Sequence, residues 1–219
     1  MSAPIISTDG RAIVLDLATG ATLGGRAVAE LDTAALGASI DQAMAEAGTR
    51  FAFGRWGEPR ALYANDLFAA GGGEMRTIHM GIDLFCAAGT PVHAPLPGRV
   101  ECVANNDAEL DYGPLVILRH DDGFYTLYGH LSTDTLTRVH EGESVAAGQQ
   151  IASVGAPPSN GNWPSHLHFQ LIEDLLGLGA DFPGVAPASR RDYWLGLSPS
   201  PARYFPEIDP SLLEYTQCN

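Results

Sequence analysis

From Arg76 to Ile172 the chain runs in short apolar pieces, each cut off by glycine, proline, asparagine or aspartate, and this punctuation most restricts the fold. Gly98–Val103 and Leu115–His120 read as strands, and Asp121-Asp122-Gly123 is a turn into Phe124–Leu131, which makes a hairpin. Ser144-Val145, Gln150–Val154 and Leu167–Ile172 continue the series. Short strands at such spacing specify a mainly β domain, an antiparallel sandwich or open barrel.

The flanks read differently. Residues 1–73 form a small α+β extension with short strands, Ala12–Leu15 among them, and one helix over about 34–47. In that helix Leu36, Ile40, Ala43 and Met44 recur at helical spacing, Asp32-Thr33 offers an N-cap, and Gly48 closes it. Phe51–Phe68 carries no clear pattern. Gly71-Gly72-Gly73 is a flexible joint before the β domain over 74–175. Residues 176–219, rich in proline, glycine and aromatics, are expected to wrap that domain.

The net charge of −14 argues against non-specific binding to nucleic acid or to an anionic membrane. All 12 basic residues are arginine, so no lysine exists to form a Schiff base or carry a biotinyl or lipoyl group. Cys86, Cys102 and Cys218 are an odd set, expected to be reduced and structural. The first residues have neither a basic region nor a long apolar stretch, so no signal peptide is read and the expectation is a cytoplasmic protein, the alternatives being a piece cut from a longer precursor or export by another route.

Chemistry concentrates in two places, His79-Met80-Gly81-Ile82-Asp83 and Ser165-His166-Leu167-His168-Phe169. Alternate residues of a strand share a face, so His166 and His168 project to one side, roughly 6–7 Å apart at a rise of ~3.3 Å per residue. A four-residue step likewise brings His79 and Asp83 to one face of a strand or a helix. Two imidazoles and a carboxylate with a fourth position open are a reasonable catalytic zinc site. His130, in Leu127-Tyr128-Gly129-His130-Leu131, is expected on the strand face of Phe124, Thr126 and Tyr128, as another imidazole near the metal. His120 and His140 flank turns and are expected to face solvent, and His93 sits in a loop without an assigned role.

These motifs, in this order, resemble the lysostaphin/LytM-type zinc endopeptidases, which carry His-x-x-x-Asp, a Tyr-x-His-Leu strand and His-x-His. Gly89-Thr90-Pro91-Val92, Gly98-Arg99-Val100 and Gly142-Glu143-Ser144-Val145 match the family's connecting phrases, so the resemblance covers about residues 76–172. It implies the duplicated-hybrid-motif β fold, one zinc per chain on His79, Asp83 and His168, and His130 and His166 as catalytic histidines of undivided role. It implies hydrolysis of a peptide amide in a peptide or peptidoglycan fragment. No His-Glu-x-x-His helix is present, so no glutamate base is implied. In some relatives an N-terminal asparagine caps the zinc; Asn65 has no local motif behind it and is not assigned that role.

Arg76–His79, Leu110–Pro114, Phe124–Ser132 and Asn162–Gln170 further resemble a branch found between kinase-like and class III aminotransferase domains in bacterial fusion proteins. That likeness implies a fusion or partner of those kinds, and as an alternative a non-catalytic or small-amide-directed metal-binding domain.

Overall fold

A computed structural model describes residues 2–8, 10–62, 68–69 and 73–216. In chain order it contains β1 (Ile13–Val14), β2 (Thr22–Leu23), β3 (Arg26–Ala27), α1 (Thr33–Glu46), β4 (Ala52–Gly54), β5 (Arg76–His79) and β6 (Ile82–Phe85). There follow β7 (Pro91–His93), β8 (Gly98–Asn106), β9 (Gly113–Arg119), β10 (Tyr125–Gly129), α2 (Thr135–Arg138), β11 (Ser144–Val145) and β12 (Gln150–Ser153). The last elements are β13 (His166–Ile172), β14 (Val185–Pro187), α3 (Arg191–Leu197) and α4 (Pro210–Leu213).

The protein is mainly β, as the punctuation predicts. Its main sheet has eight strands in the order β1-β4-β6-β13-β10-β9-β8-β11, antiparallel except where β1 runs parallel to β4. The β9–β10 hairpin forms around the predicted turn, with Tyr125 opposite Arg119. Two-stranded pairs β12–β7, β14–β5 and β2–β3 complete the strands.

Both faces of the sheet are covered, which explains why every residue of β13 is buried. On one face Leu167, Phe169 and Leu171 pack with Ile82, Leu84, Val116 and Tyr128, under Val92 and Ile151 of the β7–β12 pair. On the other, Ile172 packs with Leu115, Ile117 and Leu127 beneath Phe182, Ala186 and Leu195, which the chain brings back after β13. The period of two sends His166, His168 and Gln170 to this second face.

Helix α1 begins as the sequence predicts: Asp32 Oδ1 accepts from the Ala35 backbone amide at 2.7 Å. Gly48, past the last turn, has φ +65°, the left-handed conformation that glycine adopts without a Cβ penalty. Leu36 and Ile40 bury against Leu15, Leu17, Ala52 and Phe85. Through β1 and β4, residues before the predicted glycine joint thus join the main sheet; Gly71 and Gly72 themselves, like Cys218, lie outside the described residues. Among the described residues no helix is long and apolar enough to cross a membrane.

Candidate metal centre

One row across the sheet positions the site. Gly54 on β4 lies opposite Asp83 on β6, Asp83 opposite His168 on β13, and His168 opposite Gly129 on β10. The carboxylate and imidazole therefore stand side by side, flanked by residues without side chains. A side chain at either glycine would force a neighbour to shift. A Cβ at Gly129 would come 2.6 Å from the Tyr112 ring, and one at Gly54 would come 2.5 Å from an Arg60 guanidinium nitrogen. His79 arrives from β5, which pairs with β14 and not with the main sheet. The expectation that His79 and Asp83 share one face of a single element is therefore corrected: the strand breaks at Met80-Gly81, and the two side chains converge across the break. Gly81 lets this happen, because a Cβ there would meet the His168 ring at 2.6 Å and the Phe169 carbonyl oxygen at 2.8 Å.

The result is a nearly equilateral triangle of donor atoms. His79 Nε2 lies 3.1 Å from His168 Nδ1, and Asp83 Oδ1 lies 3.1 Å from each of them. Among the described residues these three form a buried metal-ligand group. A tetrahedral zinc with bonds of ~2.0–2.1 Å has ligand–ligand edges of about 3.3 Å, so the triangle has the size of one tetrahedral face.

The outward hydrogen bonds fix which atoms point inward. His79 Nδ1–H donates to the Arg55 carbonyl at 2.9 Å, leaving Nε2 as a lone pair. Gln170 Nε2 donates to the Pro183 carbonyl and to Ser198 Oγ, so Gln170 Oε1 is free to accept from His168 Nε2–H at 2.8 Å. His168 Nδ1 is then also a lone pair. Two lone pairs and a carboxylate oxygen facing one another in a buried pocket repel, and a cation between them removes the repulsion. The residues present fit a divalent zinc.

Burial sets the charge states. Burial and the Arg60 guanidinium press His79 down to about 4, so its imidazole is neutral at pH 7. Burial opposes the charge on Asp83, yet attraction by His79, Arg60 and His166 outweighs it and holds the carboxyl well below the usual range. His130 lies well below the ordinary histidine value through burial and its neighbours His166 and His168, and burial also lowers His166.

His130 and His166 stand beside the triangle, their ring centroids 4.3 Å apart. His166 Nδ1–H donates to the Pro164 carbonyl at 2.6 Å, and its Nε2 lies 3.7 Å from Asp83 Oδ1. His130 Nδ1–H donates to the Asn160 carbonyl at 3.0 Å. Both Nε2 atoms are therefore available as bases. His130 does not share a face with Thr126 and Tyr128, as the strand pattern predicts. β10 ends at Gly129, and His130 adopts φ +60°, which turns its ring away from the core that holds Tyr128. Its amide donates to the Tyr112 carbonyl and its carbonyl accepts from Gly155 N, so this backbone, which costs ~1–3 kcal/mol, is held from both sides. The cleft is lined further by Tyr112, Trp163, Arg76 and Phe182.

Sequence reasoning missed Gln170, Arg60, Arg55 and Asn160. Gln170 was legible in principle, as the next same-face position after His168. His120 is also corrected: it is buried, bonded to the Pro97 carbonyl and Thr126 Oγ1, because β8 covers it. His140 is exposed and His93 half-buried. Asn65 lies outside the described residues.

The sequence model of peptidase family M23 matches residues 77–176, which contain all five motif residues. A lipoprotein NlpD of Yersinia enterocolitica is 38% identical over 89 residues, and the match covers 84% of that protein and 41% of this chain. The chain belongs to peptidase family M23. The family is zinc-dependent, and the triangle His79, Asp83 and His168 is where this chain can hold a metal.

The murein hydrolase activator NlpD of Escherichia coli is 37% identical over 91 residues, covering 42% of this chain and 22% of that one. Among solved structures, the catalytic domain of the prophage-encoded M23 protein EnpA from Enterococcus faecalis is 29% identical, with a TM-score of 0.40, over 54% of this chain and 76% of that one. The chain spans a third or less of the length of the first curated relatives that it matches. The cytoplasmic expectation is overturned by relatives that are named as lipoproteins, one of them of the outer membrane. The expected fusion with kinase-like and aminotransferase domains finds no support in these relatives.

Proposed function

We propose that this M23 domain is a zinc metallopeptidase of the cell envelope, cleaving an amide bond in peptidoglycan peptides with one zinc on His79, Asp83 and His168. The observation that carries the reading is the triangle of three inward lone-pair donors, 3.1 Å on each side, with every outward ring nitrogen already bonded. Zinc, when bound, polarises the scissile carbonyl and lowers the pKa of water beside it. The chain's own part is proton handling. His130 and His166 are neutral at pH 7, each pinned through Nδ1–H to a backbone carbonyl with Nε2 turned to the cleft. Two buried imidazoles this close exclude double protonation, so they act as a pair that takes one proton from water and returns it to the departing amine. Asp83 Oδ1, 3.7 Å from His166 Nε2, favours the proton on His166.

The test is incubation of zinc-loaded protein with purified peptidoglycan, followed by mass analysis of the released fragments and counting of new amino groups. Expected are soluble peptides with new amines, abolished by His166→Ala while zinc content is kept. Zinc-loaded protein that releases nothing overturns the catalytic reading. A second reading, an activator without turnover, is favoured by the names of the NlpD relatives. It predicts instead that the protein accelerates a separately added murein hydrolase, and that His166→Ala leaves this acceleration intact.

A further inference from the structure

We infer that residues 54–60, outside the stretch matched by the M23 family, complete the metal centre, with Arg60 as a positioning residue that aims the Asp83 carboxylate. This inference rests on the zinc reading of the triangle. Asp83 divides its two oxygens: Oδ1 faces the two histidine nitrogens, and Oδ2 accepts from Arg60 Nη1 at 2.6 Å. Arg60 is itself held, since its Nε donates to Glu58 Oε2 at 2.8 Å. Glu58 is fully buried, and its Oε1 accepts from the Leu17 amide and from Arg55, which also contacts Asp16. A relay of alternating charge therefore runs from the surface at Asp16 through Arg55, Glu58 and Arg60 to Asp83.

The same segment holds the second ligand. The Arg55 carbonyl receives His79 Nδ1–H, and the backbone of 57–60 pairs with β5 through Gly57 N to His79 O, His79 N to Glu58 O and Arg60 N to Thr77 O. Two of the three ligands thus take their orienting bond from this segment, and only His168 takes its own, through Gln170, from within the matched stretch. Gly54 is the independent sign that the arrangement is built. It lies directly opposite Asp83, its backbone needs no special conformation, and a Cβ there would meet Arg60 Nη2 at 2.5 Å. A side chain there and the Arg60 guanidinium would compete for the same space.

A cation beside a metal site also repels the metal, so the sign has to be decided. Glu58 cancels that repulsion to first order, because Arg60 stands between two carboxylates. Removing Arg60 leaves Asp83 Oδ2 buried without its charge-assisted partner, and the carboxylate then rotates, which moves Oδ1 from its place. Orientation therefore wins, and the magnitude follows that of outer partners of metal ligands, a loss of ~10–100-fold in metal affinity.

The experiment uses the full chain, stripped of metal and titrated with zinc against a chromophoric chelator, for wild type, Arg60→Met, Arg60→Lys and Gly54→Ala. Expected are a loss of ~10–100-fold for Arg60→Met, partial recovery in Arg60→Lys, which restores the charge without the fork, and a loss in the same direction for Gly54→Ala, which keeps Arg60 but displaces it. Cobalt(II) in place of zinc gives a readout that a merely structural role leaves unmoved. A carboxylate released from Arg60 offers both oxygens, coordination number rises and the visible band weakens. If Arg60→Met does not fold, Gly54→Ala decides. Wild-type zinc binding with Gly54→Ala and any folded Arg60 variant within twofold of it overturns this inference alone. A wild type that takes up no zinc overturns the zinc reading, and this inference with it.

Discussion

Gly81→Ala adds a single methyl group and is expected to disable the metal centre. The new Cβ would lie 2.6 Å from His168 Cε1, 2.7 Å from Nε2 and 2.8 Å from the Phe169 carbonyl oxygen. Ordinary carbon contacts are about 3.5 Å or more, so the ring has to retreat by roughly 0.9 Å, and the carbonyl belongs to a paired strand that cannot follow cheaply. Metal–ligand distances tolerate only about ±0.2 Å. His168 Nδ1 therefore leaves the triangle, and zinc affinity falls by at least ~10-fold, with a folding cost of about 1–3 kcal/mol from overpacking. The assay is zinc titration against a chromophoric chelator, with denaturant unfolding of the metal-free protein alongside. Gly37→Ala is the matched control. It adds the same methyl inside α1, where the nearest atom, Pro164 Cβ, is at 3.5 Å, so it is expected to leave zinc binding unchanged and to gain about 0.5–1 kcal/mol. Wild-type zinc affinity and stability in Gly81→Ala would refute the steric argument for the site.

Gln170→Leu removes the acceptor that fixes the His168 tautomer and is expected to cost ~10–100-fold in zinc affinity, read by the same titration. Metal-free protein is expected to lose stability on acidification between about pH 6.5 and 4. His79 is held at about 4 when folded and returns to the ordinary histidine value of about 6.5 when unfolded, so the unfolded chain binds more protons in that window. The loss from His79 alone is about 3 kcal/mol, measured by urea unfolding at stepped pH, and a flat profile would contradict the neutral buried imidazole. Asp32→Ala removes the cap of α1 and is expected to cost ~1 kcal/mol in unfolding without altering zinc binding, since the lost bond is the one its side chain accepts from Ala35 N at the helix start.

The resemblance of the sequence motifs named the five residues that gather at the centre, and the sequence by itself determined the strand series, the capped helix and the shared face of His166 and His168. These follow from local rules: side-chain alternation, turn residues, a cap and a glycine, each acting within a few residues. His166 and His168 share a face because a strand has period two, whatever it packs against. Only the tertiary structure decided how His79 meets Asp83, since that meeting depends on a break at Gly81 and on His79 pairing with a strand more than 100 residues later. It likewise decided the turn that swings His130 out of its strand, because a left-handed residue is stabilised by partners, Tyr112, Gly155 and Asn160, that no local pattern announces. Arg60 was invisible for the same reason, and Gln170 showed its face but not its role as the acceptor for His168. An orienting bond is a relation between distant residues, fixed by which strands lie side by side, and a linear pattern carries the ligands but not the groups that aim them.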